Sequence, residues 1–476
     1  MSEMRDDAGE KGRHAAEMKM FVIGIVLLAA SFSPAASLDR SFNDVSGVVM
    51  SRTGKRVQWN RGTAQDAEAE RYIRAQLKRP LTPSSAVQIA LLNNHELQAI
   101  YEEIGLAQAD LIEAGLLKNP LFTIERRFPG QAMEADILGE FIDLLFLPLR
   151  KRVAAAKLEA TKLRVGAEIL NTAAEVRVAF YENQGNQQLA DIAQSVEQAT
   201  AASAEAALQL HQAGNSRSLD LANEEALHVQ AKVDFAKTQS AGVESREKLT
   251  RLLGLWGADI SWRVSPRLPD PPKNEIGVAG LESRAVTQRL DLAAFKQETL
   301  SEARRLGFVR FEEISRGFEM GGHYEREKDG QYSVGPSLNL PIPFFNFGQA
   351  AKARSEAKVR QTQQRYLALA VQIRSEVRSA RDRMLLARQR VDYVQTTAMP
   401  LRRRVVEESQ LQYNAMQVSL FDLLRAKQEE VNAGREYVEA LRDYWVARAE
   451  LEKAVGGSLS GKLLQVSDSK EIVPKR

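Results

Sequence analysis

The chain has 476 residues, 44% of them hydrophobic, 27% charged and 7% aromatic, a profile suited to long helices with exposed faces. Its 65 basic and 62 acidic residues leave a formal charge of +3, a balance that gives nucleic acid or an acidic polymer no footing as partner. There is no cysteine, which excludes disulfides, thiol catalysis and cysteine-based metal sites.

Residues 1–36 read as a polar extension followed by a secretory signal. Met18-Lys19 precede an apolar run over 20–30, and Ser33-Pro34-Ala35-Ala36-Ser37 offer a small-residue cleavage zone. The run is too short to span a bilayer, and no other stretch reaches the necessary length. Leu28-Ala29-Ala30-Ser31 has the form of a lipoprotein box with serine where the acylated cysteine would stand, so no lipid anchor is expected. Residues 37–80 carry no distinctive pattern and are expected to form an N-terminal segment wrapped on the body.

The remainder is one unit written twice. Glu96-Leu97 pairs with Asp291-Leu292, and Pro148 with Pro343, at a common offset; Asp220-Leu221 pairs with Asp422-Leu423, and 249–254 with 451–456, at an offset larger by two helical turns. The units are 81–257 and 281–457, joined by a linker over 258–280 and followed by a polar tail, 458–476. Each is expected to run helix, β-hairpin, long helix, return helix.

In the first unit the hairpin is placed at about 121–147. Phe122, Ile124 and Phe128 alternate with Thr123, Glu125 and Arg127, a turn falls at Pro129-Gly130, and a second strand runs over about 137–147, with Glu140 and Asp143 on opposite faces. A helical hairpin over about 150–254 follows. Leu189, Ile192, Val196, Ala199, Ser203, Ala206 and Leu210 make a heptad seam on a helix expected over 151–213. The break Gly214-Asn215-Ser216-Arg217-Ser218 turns the chain, with Ser218 as N-cap, and Ala222, Ala226, Val229, Val233 and Ala236 mark the returning seam.

In the second unit the β-hairpin is clearer, at about 318–343. Phe318, Met320, Gly322 and Tyr324, then Tyr332, Val334, Pro336, Leu338 and Leu340, form a greasy face around a turn at Asp329-Gly330, the pattern of a transmembrane barrel strand pair. The helical hairpin over about 347–455 has an unbroken seam from Ile373 to Val405, bent or locally opened at Pro400. Its tip is the break at residues 414–419, capped by Ser419. Leu424, Val431, Val438 and Trp445 recur every seventh residue on the return. Four strands cannot close a barrel with a lumen, and an open edge is not tolerated in lipid, so a membrane role requires oligomerisation.

The order of elements, together with Leu91-Leu92-Asn93-Asn94-His95-Glu96-Leu97, residues 143–150, Leu340-Pro341-Ile342-Pro343 and Tyr413-Asn414-Ala415-Met416, resembles the TolC outer-membrane efflux family, its heavy-metal and multidrug branches in particular. The resemblance covers roughly 80–457. It implies a mainly α fold with a small β part: a periplasmic α-barrel tunnel surmounted by a transmembrane β-barrel, closed as twelve strands by a homotrimer. It implies a periplasmic adaptor and an inner-membrane pump of the resistance-nodulation-division class as partners, outer-membrane lipid around the barrel, and passive export of small molecules or metal ions. The helix tips would contact the adaptor and gate the duct, which singles out Gly214, Ser216, Leu219, Asp220, Met416, Val418, Leu420 and Asp422.

No enzyme, cofactor or metal centre is expected. The histidines beyond residue 36 (His95, His211, His228 and His323) lack ligand spacing along the chain, and Gly254-Leu255-Trp256-Gly257 lacks the lysine of a phosphate loop. The alternatives are a periplasmic adaptor, which usually has one hairpin and β-rich flanks, or a coiled-coil scaffold, which has no use for alternating strands.

Overall fold

The computed structural model describes residues 34–127, 132–273, 277, 279–327 and 329–459. The expected signal run, the turn at Pro129-Gly130 and most of the polar tail lie outside the described residues. Among the described residues, no helix is long and apolar enough to cross a membrane.

The N-terminal segment is ordered helix: α1 (Pro34–Thr53) and α2 (Ala64–Leu77). Phe42 of α1 is wedged between Trp59 and Tyr101, with ring centroids 5.5 and 5.3 Å away, and Val45 and Val49 are buried beside it. The first unit opens with α3 (Pro83–Asn93), started by Thr82, whose hydroxyl accepts from the Ser85 amide, and by Pro83 in the first turn. Asn94 breaks the helix and caps the next, α4 (His95–Glu113), accepting from the amides of Glu96 and Leu97. The second unit repeats this joint: α7 (Leu281–Gln288) breaks at Arg289, with nearly the same backbone angles as Asn94, and α8 (Leu290–Leu306) follows.

The first strand pair, β1 (Leu121–Arg127) and β2 (Ala132–Gly139), is shorter than expected. The stretch 143–147 is not strand but the start of α5 (Asp143–Gln212), a helix of 70 residues and about 105 Å. Pro148 is tolerated because it lies in the second turn, where little of the ladder precedes it. Glu140 and Asp143 therefore do not face lipid. Lys118 pairs with Glu140 at 2.5 Å, and Arg150 with Asp143 at 3.1 Å, at the junction of sheet and helix.

The return helix α6 (Ser218–Leu253) starts from Arg217 in the cap position, so the expected Ser218 cap moves by one residue. The seams also shift. On α5 the buried positions are Leu189, Ala193, Thr200 and Ala207, while Ala199 and Ala206 are exposed. Thr200 is tolerated because its hydroxyl bonds back to the carbonyls of Val196 and Glu197. On α6 the face toward α5 carries Glu224, Ala231, Ser245 and Leu249. The expected stripe Ala222, Ala226, Val229, Val233, Ala236 lies outside it, with Val229 and Val233 exposed.

A short helix α9 (Val309–Ser315) leads into β3 (Glu319–Arg326) and β4 (Tyr332–Asn339), close to the expected hairpin. The helix α10 (Gln349–Tyr393) passes through a π turn (Val394–Ala398) into α11 (Met399–Asn414), and α12 (Leu420–Val455) returns. The π turn falls just before Pro400, whose missing amide leaves an acceptor in the preceding turn. The local opening is as expected, but the seam does not survive it. Ile373, Val377, Ala380, Met384, Val391 and Val394 are buried, whereas Leu401 and Val405 are exposed.

Two cores hold the units. One joins α1, α3 and α4 to Val165, Ile169, Val176 and Phe180 of α5 and to Leu249 and Leu253 of α6. The other joins Ile373, Val377 and Met384 of α10 to Val438, Leu441 and Tyr444 of α12. They meet where α5 lies antiparallel to α12. Gly185 is so close to Arg442 that an added Cβ would stand 2.7 Å from its Cγ, and Glu175 pairs with Lys453 at 2.8 Å. From that contact α5 runs on to its end at Gln212 and α12 runs back to its start at Leu420, both away from the sheet. Both tips therefore lie toward the same end, remote from the sheet.

The Asn93-Asn94 motif also finds its role here. Both units end in a left-handed glycine, Gly254 at φ 68° and Gly456 at φ 85°. Asn93 donates to the carbonyls of Leu253 and Gly254, and Asn94 to that of Leu252, so the α3–α4 joint is pinned to the end of α6.

Candidate channel-forming surfaces

The four strands make one antiparallel sheet in chain order, with β1 and β4 as edges. Register sorts the side chains into two faces. One carries Phe122, Ile124, Ala135, Ile137, Met320, Gly322, Tyr324, Val334, Pro336 and Leu338. The largest of these are exposed, Phe122, Ile137, Val334 and Leu338 among them. Arg126, Met133, Arg326 and Tyr332 form the row next to the hairpin turns, so Arg126, which stands between Ile124 and Phe128 in the apolar alternation, sits at a rim. At the opposite rim Leu340, Ile342, Phe344 and Phe345 are exposed, the last at 92%. An apolar band between an arginine–tyrosine row and an aromatic girdle is what a lipid-facing barrel wall requires.

The other face is mainly polar: Thr123, Glu125, Arg127, Glu134, Asp136, Glu319, His323, Glu325, Ser333, Gly335, Ser337 and Asn339, with the Leu121–Leu138 pair as its large apolar exception. Within it Glu134, Asp136 and His323 come together, with one ligand atom from each inside 4.8 Å of the others. Sequence reasoning misses this trio because it starts the second strand at residue 137. The available signal is Glu134 and Asp136 at period two, one strand away from His323.

At the tips, Gly214 takes φ 76°, and Met416 holds the left-handed conformation without being glycine, at φ 59° and 95% exposed. Leu219 and Asp422 are exposed; Ser216, Asp220, Val418 and Leu420 are half-buried. The Ser216 carbonyl lies 3.0 Å from His211 Nδ1, closing the first turn. Both aspartates act as caps. Asp220 accepts from the Arg217 guanidinium at 3.0 Å through each oxygen, and Asp422 accepts from the Ser419 hydroxyl at 2.7 Å and amide at 3.1 Å. The Arg217 hydrogen bonds hold the Asp220 carboxyl below the usual carboxylate range, and those from Ser419 do the same for Asp422. The eight tip residues thus fall in the two hairpin turns and in the first helical turns that follow them, and the two carboxylates are engaged locally.

A helical hairpin body under a sheet with one lipid-type and one polar face is the protomer fold of the helical-tunnel and β-barrel class. Residues 289–457 match the family described as outer membrane efflux protein. No curated protein matches by sequence. Solved structures share the fold, three of them as follows. The CmeC outer membrane channel of Campylobacter jejuni aligns at 15% identity over 79% of this chain and 85% of its own, with TM-score 0.66. A membrane protein from Pseudomonas aeruginosa aligns at 17% identity over 80% and 94%, with TM-score 0.65. The open state of the Neisseria gonorrhoeae MtrE outer membrane channel aligns at 17% over 81% and 89%, with TM-score 0.63. The second unit is thus similar to the outer membrane efflux protein family, and the chain as a whole shares its fold with solved outer membrane channels.

Proposed function

We propose that the chain is one protomer of a homotrimeric duct, with its sheet in the outer membrane and its helices in the periplasm, reached through cleavage of the N-terminal signal. The observation that carries this reading is the four-stranded sheet with an apolar outer face and two unpaired edges, β1 and β4. Unpaired edges are unstable in lipid, and sister subunits seal them most simply by pairing β4 with β1 into twelve strands. The exposed stripe of Val229 and Val233 on α6, and of Leu401 and Val405 on α11, supplies apolar surface for the same packing along the helices.

The duct is passive. An inner-membrane pump of the resistance-nodulation-division class would supply the energy, and a periplasmic adaptor would dock at the tips around Gly214, Ser216, Leu219, Asp220, Met416, Val418, Leu420 and Asp422. Docking opens the duct if the adaptor binds the splayed tips better than the packed ones. Small molecules or metal ions would be the cargo. In planar bilayers, replacing Asp220 and Asp422 together by asparagine should raise the ion conductance of the purified protein, because it loosens both caps at the narrow end. Unchanged conductance removes the two aspartates from the gate. A protein that stays monomeric and water-soluble without detergent removes the duct itself.

A further inference from the structure

Asp136 and His323 face one another across β2 and β3, and Glu134 and Glu325 form the adjacent pair on the same face. His323 Nδ1 lies 2.7 Å from Asp136 Oδ1 and 3.9 Å from Glu134 Oε1. The ligand atoms of a tetrahedral zinc, each about 2.0–2.1 Å from the metal, stand about 3.3 Å apart. The spread observed here needs only small side-chain rotations to reach that spacing. Arg127 pairs with Glu134 through Oε2, at 2.7 Å, so the oxygen nearest the imidazole is the other one.

A second, independent feature points the same way. An imidazole that ligates a metal through one nitrogen characteristically gives its other N–H to a carboxylate. Glu325 Oε2 stands 3.8 Å from His323 Nε2, on the far side of the ring from Asp136. A ligand set, its orienting group and an approach are therefore all present. The approach is open because β4 places Gly335 opposite His323, where a Cβ would meet no heavy atom within 4 Å. The imidazole nitrogen selects against calcium and magnesium, which prefer oxygen alone, and favours the borderline divalent transition metals.

We propose that Glu134, Asp136 and His323 form a binding site for a divalent transition-metal ion of the zinc type on the polar face of the sheet, with Glu325 orienting the ring. Each chain carries the whole site. That the site lines a lumen rests on the duct reading; that it binds metal does not.

The test uses the full chain purified in detergent and stripped of metal, with Zn2+ measured by equilibrium dialysis and Co2+ as an optical probe. One Zn2+ per chain is expected, with a Co2+ spectrum showing nitrogen–oxygen coordination. Affinity should fall at least tenfold in His323→Gln and in Asp136→Asn, and roughly tenfold or more in Glu325→Gln, as for other second-layer carboxylates. Wild-type protein that takes up no Zn2+, or that gives a Co2+ spectrum of pure oxygen coordination, overturns the site without recourse to any variant. So does His323→Gln binding as tightly as wild type. In planar bilayers Zn2+ should lower the conductance of wild type and leave His323→Gln unaffected. Binding in detergent with no effect on conductance keeps the site and overturns its place in the lumen.

Discussion

Leu338 and Ser337 are neighbours on β4, yet register puts Leu338 on the apolar face beside Met320 and Ser337 on the polar face beside Gly321. Lysine at these two positions therefore separates a lipid-facing wall from an ordinary exposed sheet. Leu338 is exposed in the protomer, so water-soluble protein would lose little from the change. In lipid the arithmetic differs. A lysine on the lipid face costs about 2–4 kcal/mol near the midplane, and the leucine forgoes about 1.5–3 kcal/mol of apolar burial. Leu338 lies one row from the middle of the apolar band, so about 4 kcal/mol per subunit is a fair central figure. Ser337→Lys meets polar surroundings, with Asn339, Glu319 and Gly321 nearby, and should cost about 1 kcal/mol or less. The assay is the amount of oligomer recovered from outer membranes and its melting temperature in detergent. Leu338→Lys should abolish or sharply reduce it while Ser337→Lys accumulates near wild-type level. Equal loss in both, or loss only in Ser337→Lys, refutes the assignment of faces.

The helix ends give two more expected outcomes. Gly254→Ala forces an alanine into φ 68°, worth about 1–2 kcal/mol, and sets its Cβ 2.5 Å from the Asn93 backbone oxygen, whereas Gly456→Ala meets mainly the flexible Arg289 side chain at 3.1 Å. Thermal melting should thus show the larger drop for Gly254→Ala, and the reverse order would mean that the α3–α4 joint is not pinned to the end of α6. At the tips, Asp220 and Asp422 titrate below their ordinary range when folded, so their caps are intact above about pH 4 and are lost as pH falls through the lowered folded values. Hydrogen exchange at the Arg217 and Ser419 amides, which donate to these carboxylates, measured relative to the helix centres, should accelerate only below that range; acceleration near neutrality would contradict the cap assignment.

The second hairpin was legible because Met320, Gly322 and Tyr324 alternate strictly with charged and small residues, and alternation is a period a helix cannot imitate. The first misled over residues 137–147, since Leu144, Leu145, Phe146 and Leu147 form a continuous apolar run that suits either state. The deciding contact is tertiary: Phe146 stacks 6.4 Å from Phe308 and is buried against it, which needs the helix. The seams failed differently. Alanine is small enough to lie on either side of a helical contact, so Ala199 and Ala206 could not be told from Ala193 and Ala207 by hydrophobicity. The tip residues were found because glycine, asparagine and serine interrupt long proline-free helices. The trio Glu134, Asp136 and His323 was not, because its members come from different repeats and meet only through the β2–β3 register.

The duplication is not symmetrical in its mechanics, and the asymmetry assigns the moving part. The first arm runs unbroken to Gln212, with Thr200 and Ala207 buried against α6 and Ser203 donating to the buried Glu224 at 2.6 Å. The second arm is interrupted at Val394–Ala398, and the extra residue of a π turn rotates the helix beyond it by about 100°. Leu401 and Val405 thereby turn away from their own return helix, and α11 has no buried side chain within the protomer. A segment with few buried apolar contacts opens at low free energy. Amide exchange over 399–419 should therefore be faster than over 200–220, by an order of magnitude or more in the purified protein, and Asp422→Asn should disturb the duct more than Asp220→Asn. Equal protection in the two arms would show that sister subunits hold α11 as firmly as α6 holds α5, and that the π turn is no hinge.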